Sequence, residues 1–135
     1  MSASAIWSAL IRTHHITSRK KVAKLRTAAS NHNVYALLRS GGCPGIMYCE
    51  GSESGVRDWV GAVQRLRYKD FQLVKKAAEK QLEADNIEKQ RERTDQSRDY
   101  GKLEEVESVK EFGARMADLH VLSWWRNGMG YAHDD

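Results

Sequence analysis

The chain has 135 residues and a mass of 15.4 kDa, which fits one domain and suffices for a core without disulfides or structural metal. With 41% hydrophobic and 30% charged residues, no apolar run approaches the roughly 18 residues of a bilayer span, and the N-terminus lacks a secretory h-region. Secreted and integral-membrane classes are excluded on this reading, and the expected setting is intracellular, nuclear or cytoplasmic. The net charge of +4 divides unevenly: residues 1–80 carry 14 Lys/Arg against 5 Asp/Glu, a net of +9, and the rest carries −5. That asymmetry points to an anion-binding first part and an acidic second part.

Residues 5–16 are rich in β-branched and aromatic types without Gly or Pro and read as a strand. Alternation puts Trp7, Ala9, Ile11, Thr13 and His15 on one face, and Ile6, Ser8, Leu10, Arg12, His14 and Ile16 on the other. His14 and His15 therefore take different roles, one expected to be buried and hydrogen-bonded, the other exposed. Thr17 or Ser18 caps a basic amphipathic helix in which Val22, Leu25 and Ala29 face inward and Lys20 and Lys24 outward. It is expected to end near residues 31–33, where Asn tolerates the left-handed conformation.

Residues 34–40 and 45–50 read as the next strands, joined by Gly41-Gly42-Cys43-Pro44-Gly45, a strong turn signal. Ser52 or Ser54 caps a second helix whose Val56, Trp59, Val60, Val63 and Leu66 form one apolar stripe. Residues 68–76 resume strand character. The order strand, helix, strand, strand, helix, strand predicts an α+β domain over residues 5–76, a ferredoxin-like split βαβ sandwich with a four-stranded antiparallel sheet and two helices on one face. Residues 77–102 are read as a polar connector, partly disordered or a solvated helix. Leu103, Val106, Val109, Phe112 and Met116 follow helical spacing. With Leu122, Trp124, Trp125, Met129 and Tyr131 they predict a C-terminal helical extension, residues 103–131, packed on the core.

Chemistry narrows the function classes. Cys43 and Cys49 are expected to be reduced: an extended segment between them sets them about 20 Å apart, against the roughly 7 Å a disulfide permits. The five histidines and two cysteines match no zinc spacing, so no metal or other cofactor is expected. His14, His15, Ser40 and Cys43 invite a nucleophile-and-base reading, but no spacing signature links Cys43 to a histidine. The glycine-rich turn joins two strands and leads into no helix, so it is not a phosphate loop. An enzyme, and a small-molecule substrate, are not expected.

The candidates for RNA phosphate contact are Arg12, His14, His15, Lys20, Lys21, Lys24, Arg39 and Lys69, because cations neutralise phosphates. Tyr48 is added as a surface on which a base can stack, with Tyr35 and Tyr68 near it in the pattern. A second candidate surface for a protein partner is Trp124, Trp125 and Met129. Adjacent tryptophans on a helix point about 100° apart, so one of them is expected to face outward.

The motifs His14-His15-Ile16-x-Ser18-x-x-Lys21, Gly42-x-Pro44-Gly45-Ile46 with Glu50-Gly51, and then Trp59 and Leu66, carry a family resemblance over residues 6–76. The chain resembles the conserved C-terminal domain of pre-mRNA-processing factor three, a subunit of the spliceosomal tri-snRNP. That domain also follows an RWD domain in a second group of eukaryotic proteins. The ending Trp124-Trp125-Arg126-x-Gly128-Met129-Gly130 is more similar to the second group, particularly its fungal members. The resemblance implies a ferredoxin-like fold and, for the splicing factor, small nuclear RNA bound at a duplex with a single-stranded extension. For the RWD-associated group it implies protein–protein interaction.

Overall fold

The computed structural model describes residues 5–81 and 100–131. Nine elements follow in chain order. They are β1 (Trp7–Thr13), α1 (Arg19–His32), β2 (Tyr35–Arg39), β3 (Gly45–Gly51), α2 (Glu53–Arg65), β4 (Gln72–Glu79), β5 (Lys102–Val106), α3 (Val109–Asp118) and α4 (Leu122–Met129). The strands form one mixed sheet in the order β4-β1-β3-β2-β5. Its first four strands pair antiparallel, and β5 joins the edge parallel to β2, with Tyr35 opposite Lys102 and Arg39 opposite Val106. The α+β class is as expected; the sheet has five strands and mixed direction where four antiparallel strands were anticipated. No helix among the described residues is long and apolar enough to cross a membrane.

Alternation along the strands builds two apolar layers. Ala9, Ile11, Ala36, Leu38, Met47 and Cys49 face one side, where α1 contributes Val22, Leu25 and Ala29, and α2 contributes Val56, Trp59, Val60 and Val63. The Trp59 indole N–H donates to the Leu25 carbonyl at 3.1 Å, which ties the two helices together without leaving a buried donor unpaired. Leu10, Tyr35, Leu37, Ile46 and Tyr48 face the other side, beneath Phe112 and Met116 of α3 and Trp125 and Met129 of α4. The sheet is therefore covered on both faces.

Caps set the helix boundaries. Ser18 and Ser52 accept from the backbone N–H three residues on, and Asn33, at φ 55°, ends α1 in the left-handed region. Ser108 and Glu111 form a reciprocal capping box at the start of α3. The Glu107 and Ser108 N–H groups donate to the Glu111 carboxylate and hold it below the usual carboxylate range. This box corrects the helical reading of Leu103 and Val106, which belong to β5; the helix begins only beyond Ser108.

Two further boundaries move. β4 occupies Gln72–Glu79, displaced from the expected 68–76, because Arg67 and Asp70 both adopt positive φ and extend the turn after α2. Residues 77–79 and 102–106 thus join the sheet, and the remaining polar stretch, 82–99, lies outside the described residues. Its flanks are anchored at one point. The Glu50 carboxylate, buried at the end of the central strand β3, receives hydrogen bonds from Lys80, Tyr100 and Tyr48 at 2.9, 3.0 and 2.6 Å.

Candidate functional site

The opposite end of the β1–β3 pair, where Thr13 faces Gly45, gathers most of the candidate cations. Beyond Thr13 the chain continues as a short bridge between two turns. The His14 N–H donates to the Lys69 carbonyl at 2.9 Å, and the His14 carbonyl accepts from the Gly45 N–H at 3.2 Å. One residue is thereby fixed to the 66–71 turn on one side and to the 41–45 turn on the other. Gly45 is required here by close approach: a Cβ would come within 2.4 Å of Thr13 Oγ1 and 2.7 Å of Ile16.

These turns and the end of β1 frame an open cleft of about 820 Å³ lined by Arg12, His14, Cys43, Pro44, Asp70 and Tyr131, among others. Arg12 forks onto the Gln72 side-chain oxygen at 3.1 and 2.7 Å, a neutral partner that leaves the guanidinium charge uncompensated. His14 Nε2 lies 3.8 Å from Cys43 Sγ, and His14 Nδ1 lies 3.5 Å from Asp70 Oδ2. Because the two ring nitrogens face different partners, the three side chains do not converge on one point. Among the described residues no group of His, Cys, Asp or Glu is arranged to hold a metal ion.

Outside the cleft, α1 and the 66–71 turn carry the other cations. Lys69 follows Tyr68, whose ring sits under the Lys21 ammonium at 4.8 Å. Lys20 and Lys24 are exposed one helical turn apart on the outer face of α1, and His15 is exposed beside His14, with the two rings 4.7 Å apart. Arg12, Lys20, Lys21, Lys24 and Lys69 have no carboxylate partner among the described residues. Among the described residues, the acidic second half meets this surface at one flank. Glu105 of β5 takes both guanidinium nitrogens of Arg19, at 3.0 and 2.6 Å, and stands 3.5 Å from Arg26. The Arg19 hydrogen bonds, aided by the Ser40 hydroxyl, hold the Glu105 carboxyl down to about 2.

Several expected site residues lie elsewhere or have other work. Neither histidine is buried: the His14 side chain is 41% exposed and His15 is exposed, because β1 ends at Thr13 and its alternation no longer governs them. Arg39 donates to the Glu107 carbonyl at 2.9 Å and the Pro44 carbonyl at 3.0 Å, so it braces the turn bearing Cys43 and has little left for phosphate. Tyr48 is fully buried under α4, and Tyr35 and Tyr68 are buried too, so none offers a ring face to a base. Burial and the neighbouring Glu50 carboxylate raise the Tyr48 hydroxyl well above its ordinary range, so it remains a donor.

The anticipated Trp/Met docking surface is also corrected. Trp125 and Met129 are buried, Trp125 stacking on Phe112 at 5.8 Å and meeting Tyr131 edge-on at 5.4 Å. Trp124 is half-buried and lies edge-on to Tyr48. Gly128 lets α4 approach the sheet, since a Cβ there would press to 2.9 Å of Val74. Asp70 was not among the expected residues, and the Cys43–His14 contact lacked any spacing signature. Only the β1–β3 register, with Thr13 opposite Gly45, brings residues 29 positions apart together.

No family model matches the sequence, and no curated protein matches it.

Proposed function

We propose that this is a non-catalytic RNA-binding domain that grips phosphates at the Thr13–Gly45 end of its sheet. The observation that carries this reading is a set of cations at this end of the molecule, Arg12 lining the cleft, Lys21 over Tyr68, Lys69 in the turn bonded to His14, and Lys20 and Lys24 exposed on α1, none paired with a carboxylate among the described residues. Flexible lysines on a helix and a turn suit a backbone-tracking contact, which is the sequence-independent part of RNA recognition. Both sheet faces are covered, so bases are not stacked on an open sheet; contact is through the rim.

The β1-α1-β2-β3-α2-β4 order, with β1 and β3 central, supports reading the first four strands and two helices as a ferredoxin-like core carrying an added strand and helix layer. The resemblance to the splicing-factor domain favours a small nuclear RNA, a duplex with a single-stranded extension, as the ligand. Docking of a protein partner through Trp124, Trp125 and Met129 has less support, because two of the three are enclosed in the core.

The test is a titration of such an RNA duplex at low and at fourfold higher salt. With about four phosphate contacts, affinity falls on the order of 100-fold across that range, and Lys20/Lys24/Lys69→Ala flattens the salt slope by two to three contacts' worth, roughly. Absence of binding at low salt, or an unchanged slope in the triple variant, overturns the reading.

A further inference from the structure

The two thiols of the chain are in opposite situations. Cys49 is buried in the core layer under α1 and α2, and burial together with the neighbouring Glu50 carboxylate pushes its thiol far up, so it stays protonated and inert. Cys43 is exposed at the cleft, its sulfur 3.8 Å from His14 Nε2. Asp70 stands on the far side of the same imidazole, 3.5 Å from Nδ1, and favours the proton on that nitrogen, leaving Nε2 to receive another. A thiol, a base facing it and a carboxylate orienting the base is the arrangement that activates a sulfur nucleophile.

The backbone fixes this arrangement. His14 is held by its hydrogen bonds to Lys69 and Gly45, and the turn carrying Cys43 is braced by the Arg39 guanidinium on the Pro44 carbonyl. Access is open: the cleft of about 820 Å³ has room for a tripeptide-sized molecule. Its lining carries one cation and one carboxylate; Asp70 is turned toward His14, while Arg12, bonded to the neutral Gln72 amide, offers a seat for a carboxylate of the ligand.

We infer that Cys43 is a site of thiol–disulfide exchange, taking the disulfide of a small acidic thiol of the glutathione class, with His14 accepting the thiol proton and Asp70 positioning His14. Cys43 Sγ gives its proton to His14 Nε2, and the resulting thiolate attacks one sulfur of the disulfide. The Cys43 S–S bond forms as the original S–S bond breaks, and the departing thiolate leaves with the electron pair and takes up the proton from His14. The added carboxylates then lie beside Arg12. The inference does not depend on the RNA reading.

The experiment incubates the intact chain with glutathione disulfide near neutral pH and follows adducts by whole-protein mass and peptide mapping. One adduct is expected, on Cys43, forming at least tenfold faster in the folded chain than at the same cysteine in urea. His14→Gln brings the folded rate down to the unfolded one, and Asp70→Asn moves the pH at which the rate rises upward. A folded rate no greater than the unfolded rate, first modification at Cys49, or a folded His14→Gln that reacts like the parent overturns the inference. Should His14→Gln fail to fold, the ratio of folded to unfolded rates in the parent chain decides alone.

Discussion

At the Trp7–Gly51 end of the β1–β3 ladder a carboxylate is sealed inside the protein, while at the Thr13–Gly45 end cations, imidazoles and a thiol stand around an open cleft. The same two strands run through both. The difference lies in what each end meets. Glu50 is enclosed by Lys80, Tyr48 and Tyr100, so its charge is compensated and its lone pairs are used. Arg12 and His14 line an open cleft with Tyr131, which follows α4, and the His14 side chain is 41% exposed. A satisfied buried ionic cluster fixes chain path. An exposed one, in which Arg12 has no carboxylate partner among the described residues, is available to ligands. One end is structural; the other is the proposed binding end.

Substitutions can break that division, beginning where the effect is largest. Glu50→Ala leaves Lys80 buried without its counter-charge and removes the acceptor of two tyrosines, so a loss of about 3–5 kcal/mol in urea unfolding is expected. Trp125→Ala opens the layer between α4 and the sheet and costs about 3–5 kcal/mol by the same measurement, which separates a structural C-terminal segment from a dispensable docking surface. A loss under about 1 kcal/mol in either case contradicts the division.

The Arg19–Glu105 pair is more exposed, with side chains 63% and 22% accessible, so its contribution is small. Its pH signature is nevertheless specific. Glu105 titrates at about 2 when folded against 4.5 ordinarily, so its contribution is complete above pH 4.5 and is lost as pH falls through about 2. Glu105→Gln is therefore expected to lower stability at neutral pH and to flatten the acid limb of stability in that window, read by unfolding at several pH values. Least of all, Arg12→Ala and Cys43→Ser at the open end shift stability by no more than about 0.5 kcal/mol, since neither packs in the core.

Much of the first fold layer was legible because local chemistry and tertiary structure agree there. Ser18, Asn33 and Ser52 cap the helices where their side chains and backbone preferences say they should, and the apolar stripe of α2 from Val56 to Val63 is buried. The second layer was less legible. Leu103 and Val106 lie three apart, a spacing that suits a helix, yet they belong to an edge strand; Ser108 and Glu111 marked the true helix start. For the site, Lys20 and Lys24 were readable from the polar face of α1. Tyr48 was not: alternation places it on a sheet face, and only the presence of α4 decides whether that face is open. Asp70 and Cys43 meet His14 through strand register and two turns, a relation that no local pattern carries.

The most direct test of the division between the ends is amide chemical-shift mapping of the chain during titration with an RNA duplex bearing a single-stranded extension. The shifts are expected to concentrate in residues 12–24, 42–45 and 67–72, leaving Glu50, Gly51, Lys80 and Tyr100 unmoved. Shifts centred on those four residues, or spread over α3 and α4 with the basic end silent, would contradict that division.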